Sequence, residues 1–294
     1  DVLNSKSATY SLFNTLKEKF NGDTLQVSEI EIEIITQNDL DELRTFILGD
    51  SELESKQLAL WPFYSFDIIP IQLISSIYEL FFHLSDEEDE KGTYYTPLHL
   101  VNLLMDEVYP WEGEYKDTSF FDPSCGSGIF LVEAYRRLVC RWMSQNDVHT
   151  IACDQLNLLL KSSIFGVDIN EEAIRVASFS LSLAMCDFLD PRSIWDNLSF
   201  PRLLDSNLIS CDFFEDDKSF NNRRYDVIVG NPPWQSNITE KTKEYLKRAN
   251  CVIGDKQIAQ AFSIKCSELC KTSGIVCLLM PSKGLLFNRS DKSR

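Results

Sequence analysis

The chain has 294 residues and a net charge of −17, with 44% hydrophobic and 12% aromatic residues. That length and apolar content suffice for a folded core and exclude a disordered chain. No apolar run reaches the roughly 18 residues of a membrane helix, and Asp1-Val2-Leu3-Asn4-Ser5 lacks the basic-then-apolar pattern of a secretion signal. The first residue is not Met and the last stretch stops without an evident terminus, so a piece of a longer protein is expected. Nine cysteines, an odd total with no C-x-x-C pair, argue against a disulfide framework or a zinc ribbon. A reducing cytoplasm is the expected home.

The charge is unevenly spread. Residues 223–294 carry 13 Lys and Arg against 6 Asp and Glu, whereas residues 1–222 carry 15 against 39. A polyanionic partner would have to meet the C-terminal third. The plainer alternative is that these charges are solvated faces.

In chain order, residues 1–91 read as helical and acidic. Within 69–82 apolar residues recur at helical spacing, with Pro70 in the first turn, and 86–90 is a run of acids expected to be a solvated linker. From Gly92 the pattern changes. Strands are predicted at 119–121, 163–167, 208–210, 225–229 and 274–280, with helices at 129–141, 171–185 and 257–270 between them. This alternation predicts an α/β fold with a doubly wound, mostly parallel sheet. Ligands of such sheets bind beyond the carboxyl ends of the strands.

The first strand leads into Asp122-Pro123-Ser124-Cys125-Gly126-Ser127-Gly128. Its glycines allow a tight turn and a close approach to a ligand. The loop lacks the Gly-Lys-Ser/Thr of a phosphate site and the third glycine of a dinucleotide site. Asp122 would repel a phosphate and welcome a cationic amine. The second strand ends at Asp168, where a carboxylate can accept from both hydroxyls of a ribose. It lies 40 residues after Gly128, against about 20 in the dinucleotide fingerprint, which suggests an insertion around 144–160. Asn170 is suited to cap the next helix, with Glu171 and Glu172 in its first turn. The third strand runs into Asp212-Phe213-Phe214. Three acids at three strand ends suit a neutral-to-cationic nucleoside.

The fourth strand ends in Gly230-Asn231-Pro232-Pro233-Trp234. Two prolines fix two φ angles and remove two donors, leaving carbonyls free to accept. An Asn oxygen and an adjacent carbonyl can together accept from one amino group, and Trp234 offers a face for a ring. Holding both hydrogens of an aromatic amine draws its nitrogen toward tetrahedral geometry and frees a lone pair otherwise delocalised into the ring.

In that order, Asp-Pro-Ser-Cys-Gly-Ser-Gly-Ile-Phe, Gly-Val-Asp-Ile-Asn and Asn-Pro-Pro-Trp resemble the motifs of S-adenosylmethionine-dependent N6-adenine DNA methyltransferases. Lys91-Gly92-Thr93-Tyr94-Tyr95-Thr96-Pro97 resembles the cofactor clamp that precedes the glycine loop in the gamma arrangement, as in type I and type IIG restriction–modification methylases. The resemblance covers about 92–286. It implies a Rossmann-like methyltransferase fold behind a helical N-terminal region, divided as 1–91 and a catalytic domain from 92. It implies that Tyr94, Tyr95 and Thr96 close over S-adenosylmethionine, while Asp122, Ser124, Gly126 and Gly128 surround its methionine part. Asp168 would hold the ribose, Ile169 would lie against the adenine, Asp212 would bind the adenine amine and Phe213 would lie on its ring. Asn231 and the carbonyl of Pro232, shaped by Pro233, would hold the target amine, with Trp234 stacking on the base. The expected partner is double-stranded DNA, with a specificity or restriction subunit or a fused domain. No metal is expected, because a sulfonium already carries an activated methyl group. Two further strands and a sequence-recognising domain are expected after Met280, and 281–294 has no room for them. The rival readings are a methyltransferase for RNA or protein glutamine, a silent scaffold that keeps the fold, and a nicotinamide dehydrogenase, which the missing third glycine disfavours.

Overall fold

The computed structural model describes residues 2–20, 23, 27, 29–48, 96–216, 218–234, 238–253 and 257–282. Among the described residues the first α-helices are α1 (Lys6–Phe20), α2 (Glu29–Ile34) and α3 (Gln37–Leu48). The expected helix at 69–82 and the acidic run at 86–90 lie outside the described residues. Then follow α4 (Leu98–Val108), β1 (Phe120–Asp122), α5 (Ile129–Gln145), α6 (Cys153–Ser163), β2 (Ile164–Asp168), α7 (Glu171–Cys186) and α8 (Pro191–Asn197). The chain continues through β3 (Leu208–Ser210), α9 (Lys218–Asn221), β4 (Tyr225–Gly230), α10 (Glu240–Arg248), α11 (Ile258–Leu269) and β5 (Cys270–Leu278).

The five strands form one parallel sheet in the order β3-β2-β1-β4-β5. Chain direction across the sheet reverses between β1 and β4, so the two loops that leave these strands open a crevice at the carboxyl edge. Alternation along the strands builds the layers on either face. On β1, Phe120 joins one core with Leu131, Leu138 and Leu160, while Phe121 joins another with Phe213, Tyr225 and Phe262. Successive strand side chains point to opposite faces, so two adjacent phenylalanines serve two helical layers. Full burial of each contributes about 1.5–3 kcal/mol.

The predicted strands agree with those observed to within one residue, except β5. It begins at Cys270 rather than 274, because Cys270 already pairs with Tyr225, and Lys271-Thr272-Ser273-Gly274 form the irregularity before Ile275 pairs with Val227. For the same reason the helix before it ends at Leu269 and Cys270 belongs to the strand. The stretch read as an insertion contains a second crossover helix, α6, which buries Leu156, Leu159 and Leu160. Residues 1–48 supply α1, whose Phe20 stacks on Phe200 at 5.3 Å, and Asp23, whose carboxylate accepts from the backbone N–H groups of Leu203 and Leu204. Among the described residues no helix is long and apolar enough to cross a membrane.

Candidate active site

The loop between β1 and α5 is shaped by two glycines in the left-handed region, Gly126 at φ +51° and Gly128 at φ +86°. They serve different ends. A Cβ on Gly128 would lie 2.9 Å from that of Ala177, so this glycine lets α5 and α7 pack closely. A Cβ on Gly126 would meet nothing within 4 Å: the backbone here faces open space. That is the geometry of a cradle for a ligand.

Asp168 holds the loop from the neighbouring strand. Its Oδ2 accepts from Gly126 N at 2.8 Å and its Oδ1 from Asn170 N at 2.9 Å. Burial raises its pKa, and the N–H groups of Asn170, Gly126 and Ile169 pull the other way. Ile169 is 72% exposed, an apolar side chain standing in solvent beside a buried carboxylate. Asn170 caps α7 as the sequence suggests, accepting from Glu172 and Ala173.

Asp122 is fully enclosed at the end of β1. One oxygen accepts from Ser124 N at 3.0 Å. The other, and the hydroxyl of Ser124, are buried with no hydrogen-bond partner. Burial, reinforced by nearby Asp168, pushes the Asp122 carboxyl up to about 8, with the Ser124 N–H opposing. A carboxylate so placed gains most from a cationic group against its open oxygen. Cys125 is also buried, and its thiol lies well above the ordinary range for the same reason, so it packs rather than reacts.

The end of β4 lies beside this carboxyl. A Cβ on Gly230 would collide with the Asp122 carboxylate, so the glycine lets the two strand ends touch. Asn231 Nδ2 donates to the hydroxyl of Thr96 at 3.0 Å, across 135 residues of chain. Asn231 Oδ1 is buried with no hydrogen-bond partner. Pro232 is buried and Trp234 is 36% exposed, its Nε1 donating to Leu279 O at 3.1 Å. Leu279 N in turn donates to Gly230 O at 3.0 Å. Thr96 and Leu279 thus position the turn from both sides. Sequence reading placed Thr96 on the cofactor alone and did not single out Leu279, whose contribution is main-chain.

On the β3 side, Asp212 Oδ1 accepts from Phe214 N at 2.9 Å and Oδ2 accepts from the hydroxyl of Thr239 at 3.3 Å. Phe213 is 3% exposed and stacks on Phe262 at 4.9 Å, so most of its ring belongs to the aromatic core. Asp122, Ser124, Gly126, Gly128, Asp168, Ile169, Asp212, Asn231 and Trp234 all lie at the carboxyl edge. Tyr94 and Tyr95 lie outside the described residues. Among the described residues of 223–294, Lys241, Arg248 and Lys271 pair with Glu215, Asp216 and Asp226, and Lys243 pairs with Glu240.

A family model described as Eco57I restriction-modification methylase matches residues 162–294. The chain is 23% identical over 285 residues to the type II restriction enzyme and methyltransferase RM.Eco57I of Escherichia coli, covering 79% of this chain and 28% of that protein. It is 24% identical to the type II methyltransferase M.VspI of Vibrio sp. (strain 343), covering 70% and 41%. The chain is thus similar to type I and type II restriction–modification methyltransferases. The type IIG restriction endonuclease BpuSI shares the fold of this chain, with a TM-score of 0.52 at 16% identity over 96% of this chain and 28% of that one. The chain spans well under half the length of each of these relatives.

Proposed function

We propose that the chain forms the catalytic part of a DNA methyltransferase that moves a methyl group from S-adenosylmethionine to N6 of adenine. It would act within a restriction–modification or related phage-defence system, in the cytoplasm, on double-stranded DNA. In this reading residues 1–91 are a helical N-terminal region and residues 92–294 are the catalytic domain. A specificity or restriction component would reside on a partner subunit or elsewhere in the protein.

The observation that carries the reading is one buried acceptor. Asn231 Oδ1 has no hydrogen-bond partner and lies next to a loop whose own unpartnered atoms, Asp122 Oδ2 and Ser124 Oγ, suit an amino acid. A buried acceptor without a partner costs about 1–3 kcal/mol, a cost relieved when an amine arrives. The residues present fit S-adenosylmethionine. Asp122 would take its ammonium, Gly126 would allow backbone approach, Thr96 would turn its hydroxyl hydrogen to the carboxylate, and Asp168 would hold the ribose. Ile169 would lie against the adenine, whose amine Asp212 would accept, with the edge of Phe213 beside the ring. Tyr94 and Tyr95 would close over it. When bound, this cofactor supplies a methyl group already activated on a sulfonium.

The protein then has to present the amine. An adenine in duplex must first leave the stack, at a cost of a few kcal/mol. Stacking on Trp234 returns roughly 1–3 kcal/mol of this. Asn231 Oδ1 and the Pro232 carbonyl, held in line by Pro233, accept both N6 hydrogens and turn the lone pair out of the ring. Incubating the full-length protein with labelled cofactor and DNA, followed by mass spectrometry of the nucleosides, tests this. N6-methyladenine is expected; label on RNA or protein glutamine, with none in DNA, sinks it.

A further inference from the structure

Lys265 is 4% exposed on α11, inside the aromatic core beneath the β3 loop. Its ammonium donates to the carbonyls of Phe213 and Glu215. It lies 4.8 Å from the ring centre of Phe213, 5.1 Å from that of Phe220, 5.7 Å from Tyr245 and 5.9 Å from Phe214. Burial, with repulsion from Arg248, pushes its pKa down to about 8. Methionine would fill the same space without desolvating a charge, so the ammonium serves a local purpose.

The turn it touches shows that purpose. Asp212 accepts from Phe214 N through its side chain and from Glu215 N through its carbonyl. This closes residues 212–215 into a tight turn whose carbonyls at 213 and 215 face the core. Lys265 donates to both carbonyls from one atom, and Asn221 Nδ2 adds a second donor to Glu215 O at 3.1 Å. Its aromatic neighbours stabilise the charge through their ring faces.

We propose that Lys265 is a positioning residue for the adenine end of the cofactor, holding the 212–215 turn so that Asp212 stands where the adenine amine arrives. The proposal rests on the reading of Asp212 given above. Calorimetry of the full-length protein with S-adenosylhomocysteine and with S-inosylhomocysteine, which carries a carbonyl in place of that amine, tests the two separately. The wild type is expected to prefer the adenosyl compound, and Asp212→Ala to remove that preference. An unchanged preference in Asp212→Ala overturns the reading of Asp212 and the proposal with it. With that reading intact, Lys265→Met is expected to lose about tenfold of the preference, and Lys265→Arg to keep it. Equal weakening of both compounds in Lys265→Met, with the preference retained, makes Lys265 merely structural and overturns the proposal.

A second measurement serves if Lys265→Met does not fold. The wild-type preference is expected to fall as pH rises through about 8 and to stay flat in Lys265→Arg. Arg248 and Tyr245 from α10, Cys211, Asp212 and Asp216 from the β3 loop, Cys266 on α11, and the distant Asp122 are common to both proteins. A slope that persists unchanged in Lys265→Arg belongs to one of them and overturns the proposal.

Discussion

The two halves of the site are built by opposite means. On the β1 and β2 side, carboxylates and glycines are pinned by backbone bonds within adjacent loops: Asp122 to Ser124, Asp168 to Gly126 and Asn170. On the β4 side, the Asn231–Trp234 turn is held by partners far away in sequence, Thr96 and Leu279. In the first half Asp122 is 1% exposed and held by its own loop; in the second Trp234 is 36% exposed and held by distant chain. This division suits the proposed function, in which a small cofactor would take the closed, moulded half and a flipped base would enter and leave the more open one.

The largest effect that would sharpen this contrast is expected at Asn231. Asn231→Ala should lower the methylation rate by about 10²–10³-fold, by analogy with removal of one preorganised polar group from an active site. Cofactor affinity by calorimetry should hardly change, since the moulded half is intact; a parallel loss of cofactor binding would erase the division. Next comes Asp168→Ala. It should weaken cofactor binding by about 1.5–3 kcal/mol, as befits a lost charge-assisted hydrogen bond. An unchanged dissociation constant would remove Asp168 from the site.

Thr96 bridges the halves and should show a smaller, mixed effect. Thr96→Val leaves Asn231 Nδ2 without its acceptor, and turnover at saturating cofactor should fall by about 3–10-fold. Thr96→Ser should restore it, and equal activity in Val and Ser variants would dismiss the contact. A further effect concerns pH. Asp122 has a folded-state pKa of about 8 against an ordinary 3.8. The folded state therefore binds more protons between these values, and this contribution to stability is complete below about 4 and lost as pH rises through about 8. Asp122→Asn should flatten that part of the stability profile in thermal melts while weakening cofactor affinity. A profile of unchanged slope in the variant would assign the titration elsewhere.

The same contrast explains what could be read from residues alone. The moulded half was legible because its chemistry is local: a glycine loop, then an acid at each strand end, at spacings that alternate strands and helices impose. Asn170 was recognisable as a cap by its type and place. The distant supports were not, because nothing near Asn231 points to Thr96, and Leu279 acts only through its backbone. Lys265 was invisible for a further reason: a lysine within an amphipathic helix looks solvated until the rings around it are seen. The extra length around 144–160 was legible from the Gly128–Asp168 spacing but its helix α6 was not, since Leu156, Leu159 and Leu160 bury a face too short to stand out.

The bond from Trp234 to Leu279 also sets an order of events in time. As the chain is made from its N-terminus, the β1 loop, β2 and Asp168 can pair as soon as they have emerged. The indole cannot find its acceptor until another 45 residues have followed and β5 has docked against β4. Closing that loop costs entropy that the pairing of β4 with β5 repays. The β1 and β2 loops can thus pair on a nascent chain before the indole of Trp234 has its acceptor, and it is the docking of β5 that supplies it.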